Sequence, residues 1–407
     1  MAANRTKRFA GVLLLIFLAQ CIWLIHAELR SEFGCYPAGT MERQARVREG
    51  LRQWRGRGIA GTPENIPSRS STPAHNSPVE TFHGYDPYRS PLWYLVAAAP
   101  VALGPAPATP ARERLWLWLT RVPYLGFGVL LGASLWYVTR RLYGNPGGVI
   151  ALVLYCFSPG IIQSSSEVCR DSEMGTAWGA FGAVFTAIAL AHTLYAPREV
   201  VLWNWRRITL LAISLALAIG SQFSLIVLAP VTLGFLLYLA PQRRMAAATV
   251  WAPACVGAGV LLAAGYLFHF KILWQGVRAA KLVDFTAAAL SMSETYRSAA
   301  GYILKGSPLL IVLLPAALLG YGLWRRARYF GNTAPLLMAA ICLALGAAAP
   351  TFSGQGFLLV AMPFFFAFVA GVCADLLETR FGSWLRILLT AALSGYAFWS
   401  LVALAQV

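Results

Sequence analysis

Few residues in this sequence have the chemistry to make or break bonds, and their types and spacing suggest three kinds of site. Carboxylates come first: Glu42 lies among arginines in residues 39–58 (GTMERQARVREGLRQWRGRG), and Asp86 lies in the Pro-, Ser- and Thr-rich residues 62–90. Either could serve as a general acid or base. Glu80, His83 and Asp86, with His75, put four candidate metal ligands within twelve residues; the plainer reading is solvated loop side chains. Asp171-Ser172-Glu173 has the spacing of a metal-binding Asp-x-Asp, a short pattern that also arises by chance. Arg121, Arg170, Arg297 and Lys305 are fixed cations able to hold an anion such as a phosphate. Arg121 also fits a structural ion pair, and Arg170, between Glu167 and Asp171, a local salt-bridge cluster.

What positions these residues is a membrane. Of 407 residues 58% are hydrophobic and 12% charged, against roughly 45–50% and about 25% in soluble domains. The mean hydropathy is +0.60. A soluble fold of this size would have no surface to show water, so the expected class is an all-α, polytopic transmembrane helix bundle. The seven scattered cysteines show no CxxC spacing and read as small buried hydrophobes.

About eleven apolar runs are long enough to serve as spans. The first six are Phe9–Ala27, Leu115–Val138, Gly147–Gln163, Met174–Tyr195, Ile208–Gly220 and Phe223–Leu239. Ala246–Phe268, Pro308–Leu323, Ala334–Ala349, Phe357–Ala374 and Ile387–Ala405 follow. The first run reads as an uncleaved anchor, because it exceeds the usual length of a signal peptide's apolar core. Run Pro91–Leu103 is too short to cross and reads as a juxtamembrane or re-entrant helix on the side of the first loop. Gly175 and Gly179 have the small-xxx-small spacing of a close helix contact.

With the N-terminus cytoplasmic, the inner segments hold fifteen cations against three acids. This is the positive-inside rule, so the net charge of +17 reports topology and excludes a nucleic-acid partner. Thirteen of the sixteen acids fall on the outer side and none at the middle of a span, which argues against an ion-coupled transporter. The whole chain, residues 1–407, reads as one membrane domain whose large extramembrane element is the first outer loop, residues 28–113, with juxtamembrane helices inside it. Residues 39–58 have the pattern of a helix lying on an anionic membrane surface.

The order of pieces along the chain resembles the GT-C superfamily of polyprenyl-phosphate-sugar glycosyltransferases. The similarity is to bacterial members like the protein mannosyltransferases and aminoarabinose transferases. It is carried by Glu42…Leu51…Gly56-Arg57-Gly58-Ile59, then Ser90-Pro91-Leu92-Trp93-Tyr94-Leu95, Arg121-Val122-Pro123, Tyr137 to Gly144 and Ser158-Pro159-Gly160. Cys169-Arg170-Asp171 and Gln355 to Pro363 complete the series, which spans roughly residues 9–375. The resemblance implies transfer of a sugar from a polyprenyl phosphate to a lipid, glycan or protein acceptor on the periplasmic face of a bacterial inner membrane. Twenty-nine arginines against four lysines suit a GC-rich bacterial genome.

In that reaction a carboxylate would take the acceptor proton, with Glu42 the first choice and Asp86 the second. Arg121, Arg170, Arg297 and Lys305 would hold the lipid phosphate. A monophosphate leaving group requires no cofactor, and a divalent metal would have Glu80, His83 and Asp171 as weak ligand candidates. The implied partners are the sugar donor and membrane lipid, and the sequence leaves the oligomeric state open. Three positions depart from the family pattern: Met41-Glu42 stands where an Asp-Glu pair is usual, Gln222 where a lysine is frequent, and Gly356-Phe357 where an Arg-Tyr often opens the late span. The first favours an alternative, a non-catalytic or differently acting handler of lipid-linked glycans such as an assembly subunit, a flippase or an O-antigen ligase or polymerase. The topology has a direct check. A reporter fused after Val407 that works only in the cytoplasm should be silent, and a bright one would mean the span count is off by one.

Overall fold

The computed structural model describes residues 2–30, 90, 92, 95–96, 99–101, 115, 118–166, 173–195, 200–266, 268–279, 293–348, 355–379 and 382–406. Among these, every regular element is helical: the chain is an all-α polytopic bundle. The helices are α1 (Ala2–Arg30), α2 (Val122–Cys156), α3 (Pro159–Ser166), α4 (Met174–Thr193) and α5 (Val200–Ser221). They continue as α6 (Leu228–Leu239), α7 (Arg244–Gly265), α8 (Phe270–Ala279), α9 (Ser293–Gly306) and α10 (Pro308–Leu323). The last are α11 (Phe330–Ala348), α12 (Gln355–Leu377) and α13 (Gly382–Ala405). Among the described residues six helical stretches are long and apolar enough to cross a bilayer, the folded α2 counted once, and a broken pair makes a seventh. Phe223–Leu239 and Phe330–Gly346 are shorter apolar helices.

The core is built around α12. Its sequence is apolar on every side, so it has no face to show water, and residues 356–374 are all buried. It packs on α2, α4, α10, α11 and α13. Phe364 meets Phe181 of α4 with ring centroids 5.5 Å apart, and Phe368 meets Tyr321 of α10 at 5.6 Å. The outer helices bury one stripe and turn large apolar side chains outward, as Val256, Val312, Leu319 and Phe398 do. In a bilayer that outward face meets lipid.

Three devices shape the bundle. The first is the hairpin within α2. Gly144 has φ +74°, a backbone region that glycine alone enters without strain, and the chain reverses there. The Tyr155 hydroxyl donates to the Gly128 carbonyl at 2.6 Å, although a straight helix would set them about 40 Å apart. Residues 122–143 and 145–156 are therefore antiparallel neighbours, matching the two separate apolar runs in the sequence. The second device is a close approach of α4 to α5. A Cβ at Gly179 would lie 2.7 Å from the Ser214 carbonyl oxygen and from the Ala218 nitrogen. Gly175 is looser: a Cβ there would stand 3.4 Å from the Phe127 ring of α2.

The third device is a break between α9 and α10, which bend by 114° at Ser307. A broken helix inside a membrane must find other partners for its backbone. The Ser158 hydroxyl donates to the Gly306 carbonyl at 2.6 Å, and the Ser307 and Tyr396 hydroxyls bond at 3.0 Å. Gly160 and Gly306 meet backbone to backbone. These contacts join α3, α9 and α13 at the end of the bundle that also holds Arg121. Ser90, Leu92, Leu95 and Val96 dock at that end as well. The Ser90 N–H donates to the Gly220 carbonyl at 2.8 Å, and Leu92 packs against Gly220 and Gly265.

The opposite end is different in kind. Arg141, Arg206, Arg243, Arg244, Arg325 and Arg386 are exposed there. It is tied by Tyr143, whose hydroxyl donates to the Gly331 carbonyl at 2.6 Å, and by Asn332, whose amide donates to Asp375 at 2.9 Å. Burial and the nearby carboxylates Asp375 and Glu378 hold the Tyr329 phenol well above its usual range, so it stays neutral. The α4–α5 contact gives a stability test. Gly179→Val would force side-chain atoms into the α5 backbone and should cost about 1–3 kcal/mol, read as a lower unfolding midpoint in detergent. Gly175→Ala should unfold like the parent; equal losses from both would show that the close approach is not at Gly179.

Candidate functional site

Ionisable side chains are scarce inside a membrane bundle and mark function when present. Among the described residues, two charged side chains are buried: Arg121, 3% exposed, and Glu173, 7% exposed. Both stand where a long helix begins. Arg121 caps α2, its carbonyl accepting from the N–H groups of Tyr124 and Leu125 at 3.0 Å. The start of a long helix and the guanidinium add their positive character at one place, which suits an anion.

Glu173 caps α4, its carbonyl accepting from the Ala177 N–H at 2.9 Å. Its carboxylate accepts a hydrogen bond from the Thr176 hydroxyl at 3.1 Å. A second helix start reaches the same carboxylate, because a Cβ at Gly356 would lie 3.3 Å from Glu173 Oε1. Glycine at 356 thus lets the first turn of α12 come up against the acid. Two helix N-termini beside one carboxylate favour its negative charge.

These groups share one end of the bundle. The α4 start lies against α2 through Gly175 and Phe127, and Gly175 also faces the Ser221 hydroxyl of α5 at 3.9 Å from its would-be Cβ. Beside Ser221 is Gln222, fully buried, and across Gly220 is Ser90, also fully buried. Arginine, glutamate, glutamine and serine are therefore gathered where α2, α4, α5 and α12 end or begin. A fixed cation and a carboxylate at the edge of an apolar bundle can neutralise an anionic head group and accept a proton or hydrogen bond from a hydroxyl.

The sequence expectations fall out unevenly. Arg121 is buried at the start of α2. Arg297 and Lys305 are exposed on α9, which leads to the Gly306 junction at the same end. Glu42, Asp86, Arg170, Glu80, His83 and Asp171 lie outside the described residues, as does most of the first loop, residues 28–113. Among the described residues no three His, Cys, Asp or Glu side chains come together. Glu173 entered the sequence reading only as part of a three-residue acidic pattern. The signal that could have singled it out is its place directly before α4, which is apolar all round and so must draw its cap inward.

No family model matches the chain, and no curated protein is similar to it in sequence. In structure it is similar to the archaeal oligosaccharyltransferase AglB from Archaeoglobus fulgidus, solved with an inhibitory peptide and a dolichol-phosphate. That likeness has a TM-score of 0.56 at 13% identity and covers 98% of this chain and 56% of the other. A second A. fulgidus oligosaccharyltransferase structure, tethered to an acceptor peptide with an NVT sequon, gives a TM-score of 0.48 at 12% identity, over 78% and 47% of the two chains. The chain thus spans about half the length of the structures it resembles. The likeness to AglB runs through nearly the whole bundle described above, and it shows that this chain has the GT-C fold.

Proposed function

We propose that this chain is a membrane glycosyltransferase, moving a hexose or pentose from a polyprenyl-phosphate donor to a lipid, glycan or protein acceptor. The observation that carries the reading is the pair of buried charged side chains, Arg121 and Glu173, at one end of a GT-C bundle. The acceptor oxygen attacks the anomeric carbon and the bond from that carbon to the phosphate oxygen breaks. The lipid monophosphate departs with the electron pair, and the acceptor proton passes to a carboxylate. Negative charge grows on the phosphate as the bond breaks, and Arg121 at the α2 start is placed to hold it. A single monophosphate can be neutralised by such a fixed cation, so the scheme needs no metal. Glu42 is the proposed base and Asp86 the next choice; Glu173 is a third carboxylate, at the bundle edge.

The exposed arginines at the far end suit the cytoplasm, which supports a reading with the Arg121 end on the periplasmic face of a bacterial inner membrane and the N-terminus inside. Met41, where the family has an acid before Glu42, favours a second reading, a non-catalytic assembly subunit that keeps the fold and binds the lipid. The test uses the purified chain in nanodiscs with a polyprenyl-phosphate hexose. Glu42→Gln should lower turnover by about 10²-fold or more with donor binding unchanged. Arg121→Ala should weaken donor binding as well. If Asp86→Asn or Glu173→Gln is instead the change that abolishes turnover, the base role moves to that residue. Lipid binding without turnover in the parent would establish the assembly-subunit reading.

A further inference from the structure

The side chains of Gln222 and Ser90 are buried without hydrogen-bond partners among the described residues, and Ser90 lies against Gly220, two residues before Gln222. Both are fully buried, and among the described residues neither the Gln222 amide oxygen and nitrogen nor the Ser90 hydroxyl meets a partner. The Ser90 N–H is bonded to the Gly220 carbonyl at 2.8 Å, and its hydroxyl would lie 2.9 Å from a Cβ at Gly220. Gln222 stands two residues on, in extended backbone (φ −154°, ψ 103°) between α5 and the short 3-10 helix Phe223–Val227.

The backbone there does not explain the side chains. The Gln222 N–H donates to the Ala218 carbonyl, its carbonyl accepts from the Leu225 N–H, both at 3.0 Å, and its side chain caps nothing. An amide removed from water with no atom satisfied is costly, and an apolar residue would pack there without that cost. Other orphaned atoms have a packing context: the Ser214 hydroxyl is wedged against Gly182 of α4, and Gln20 bonds the Cys156 carbonyl through its nitrogen. Gln222 lies instead beside Ser221, at the end of the bundle that holds Arg121 and Glu173.

We infer that Gln222 and Ser90 form the part of the site that recognises the sugar of the donor, taking a neutral, hydroxyl-bearing ring. This rests on the glycosyltransferase reading. The amide offers two donors and an acceptor, and the serine hydroxyl offers one donor and accepts as well. Neighbouring ring hydroxyls present the same mixture. Neither group is charged, so the pair answers hydroxyls and leaves the phosphate to Arg121.

The test compares bare undecaprenyl phosphate with undecaprenyl phosphate carrying glucose, galactose or mannose, by binding to the full chain in nanodiscs. The parent should bind at least one sugar-bearing lipid more tightly than the bare one. Gln222→Leu should weaken that sugar lipid by about tenfold or more while bare lipid stays within about twofold. Ser90→Ala, which removes one atom from a folded site, should shift the same ratio in the same direction. An unchanged ratio in both variants, above all with a raised unfolding midpoint, would mean that the amide meets only packing or a buried water, and would overturn the inference. Equal losses for bare and sugar-bearing lipid would overturn it too, moving these residues to the phosphate or to the fold. If the parent binds bare lipid but gains nothing from a sugar, this inference falls alone. If it binds neither, the glycosyltransferase reading falls with it.

Discussion

Lipid gives two apolar helices little reason to associate, because their side chains are as well solvated by acyl chains as by each other. The bundle must therefore be held by fit, and the fit is made at α12. A helix with phenylalanines at 364, 365, 366 and 368 is surrounded by α2, α4, α10, α11 and α13. Large rings on this helix are answered by small residues and rings on its neighbours. At Gly371 the backbone comes so close to Asn332 and Tyr143 that a side chain would have no room. The same logic repeats where Gly179 lets α4 touch the α5 backbone. Dispersion gained at such short range is what distinguishes the assembled bundle from separate spans.

Once the interior is apolar and closely packed, charged groups are confined to the ends, and the two ends treat their polar groups differently. One end carries exposed arginines, with Asn332 bridging α11 to Asp375 of α12. Water and lipid phosphates can satisfy that surface without help from the fold. The other end draws its polar groups inside. Arg121, Glu173, Ser90 and Gln222 are all buried, and three of them flank the start or end of a long helix. Such an arrangement is costly in an empty bundle, and the proposed donor, with its phosphate and hydroxyls, would offset that cost.

The polar end also has to tolerate irregular backbone. The 114° break at Ser307 would strand peptide groups in an apolar medium; the Ser158 hydroxyl meets that need at the Gly306 carbonyl, and the Ser307 and Tyr396 hydroxyls tie the break to α13. The docked residues around Ser90 are held through the Gly220 carbonyl, freed because α5 ends there. Helix ends, breaks and the buried polar groups thus occupy one region. A site that binds a polar head group while its lipid tail stays in the bilayer belongs at such a boundary.

Much of this was legible in the sequence, and for a definite reason. Membrane spans announce themselves by composition, since about twenty apolar residues in a row have few other uses, and the cation asymmetry sets an expected sidedness. The hairpin at Gly144 was legible as two apolar runs parted by arginines, and Gly179 as one member of a small-residue pair. The GT-C fold was legible only as an order of weak motifs, and the likeness to AglB at 13% identity required the arrangement in space. Burial was not legible. Only its place before a helix that is apolar all round sets Glu173 apart from the acids of the first loop, and nothing local distinguishes Gln222 from any polar residue between two spans. Glu173 is buried because α4 is, and α4 is buried because α12, nearly two hundred residues later, needs a partner for Phe364. Sequence fixes which residues can be charged or apolar; which charge is taken out of water is decided by neighbours that only the packed bundle supplies.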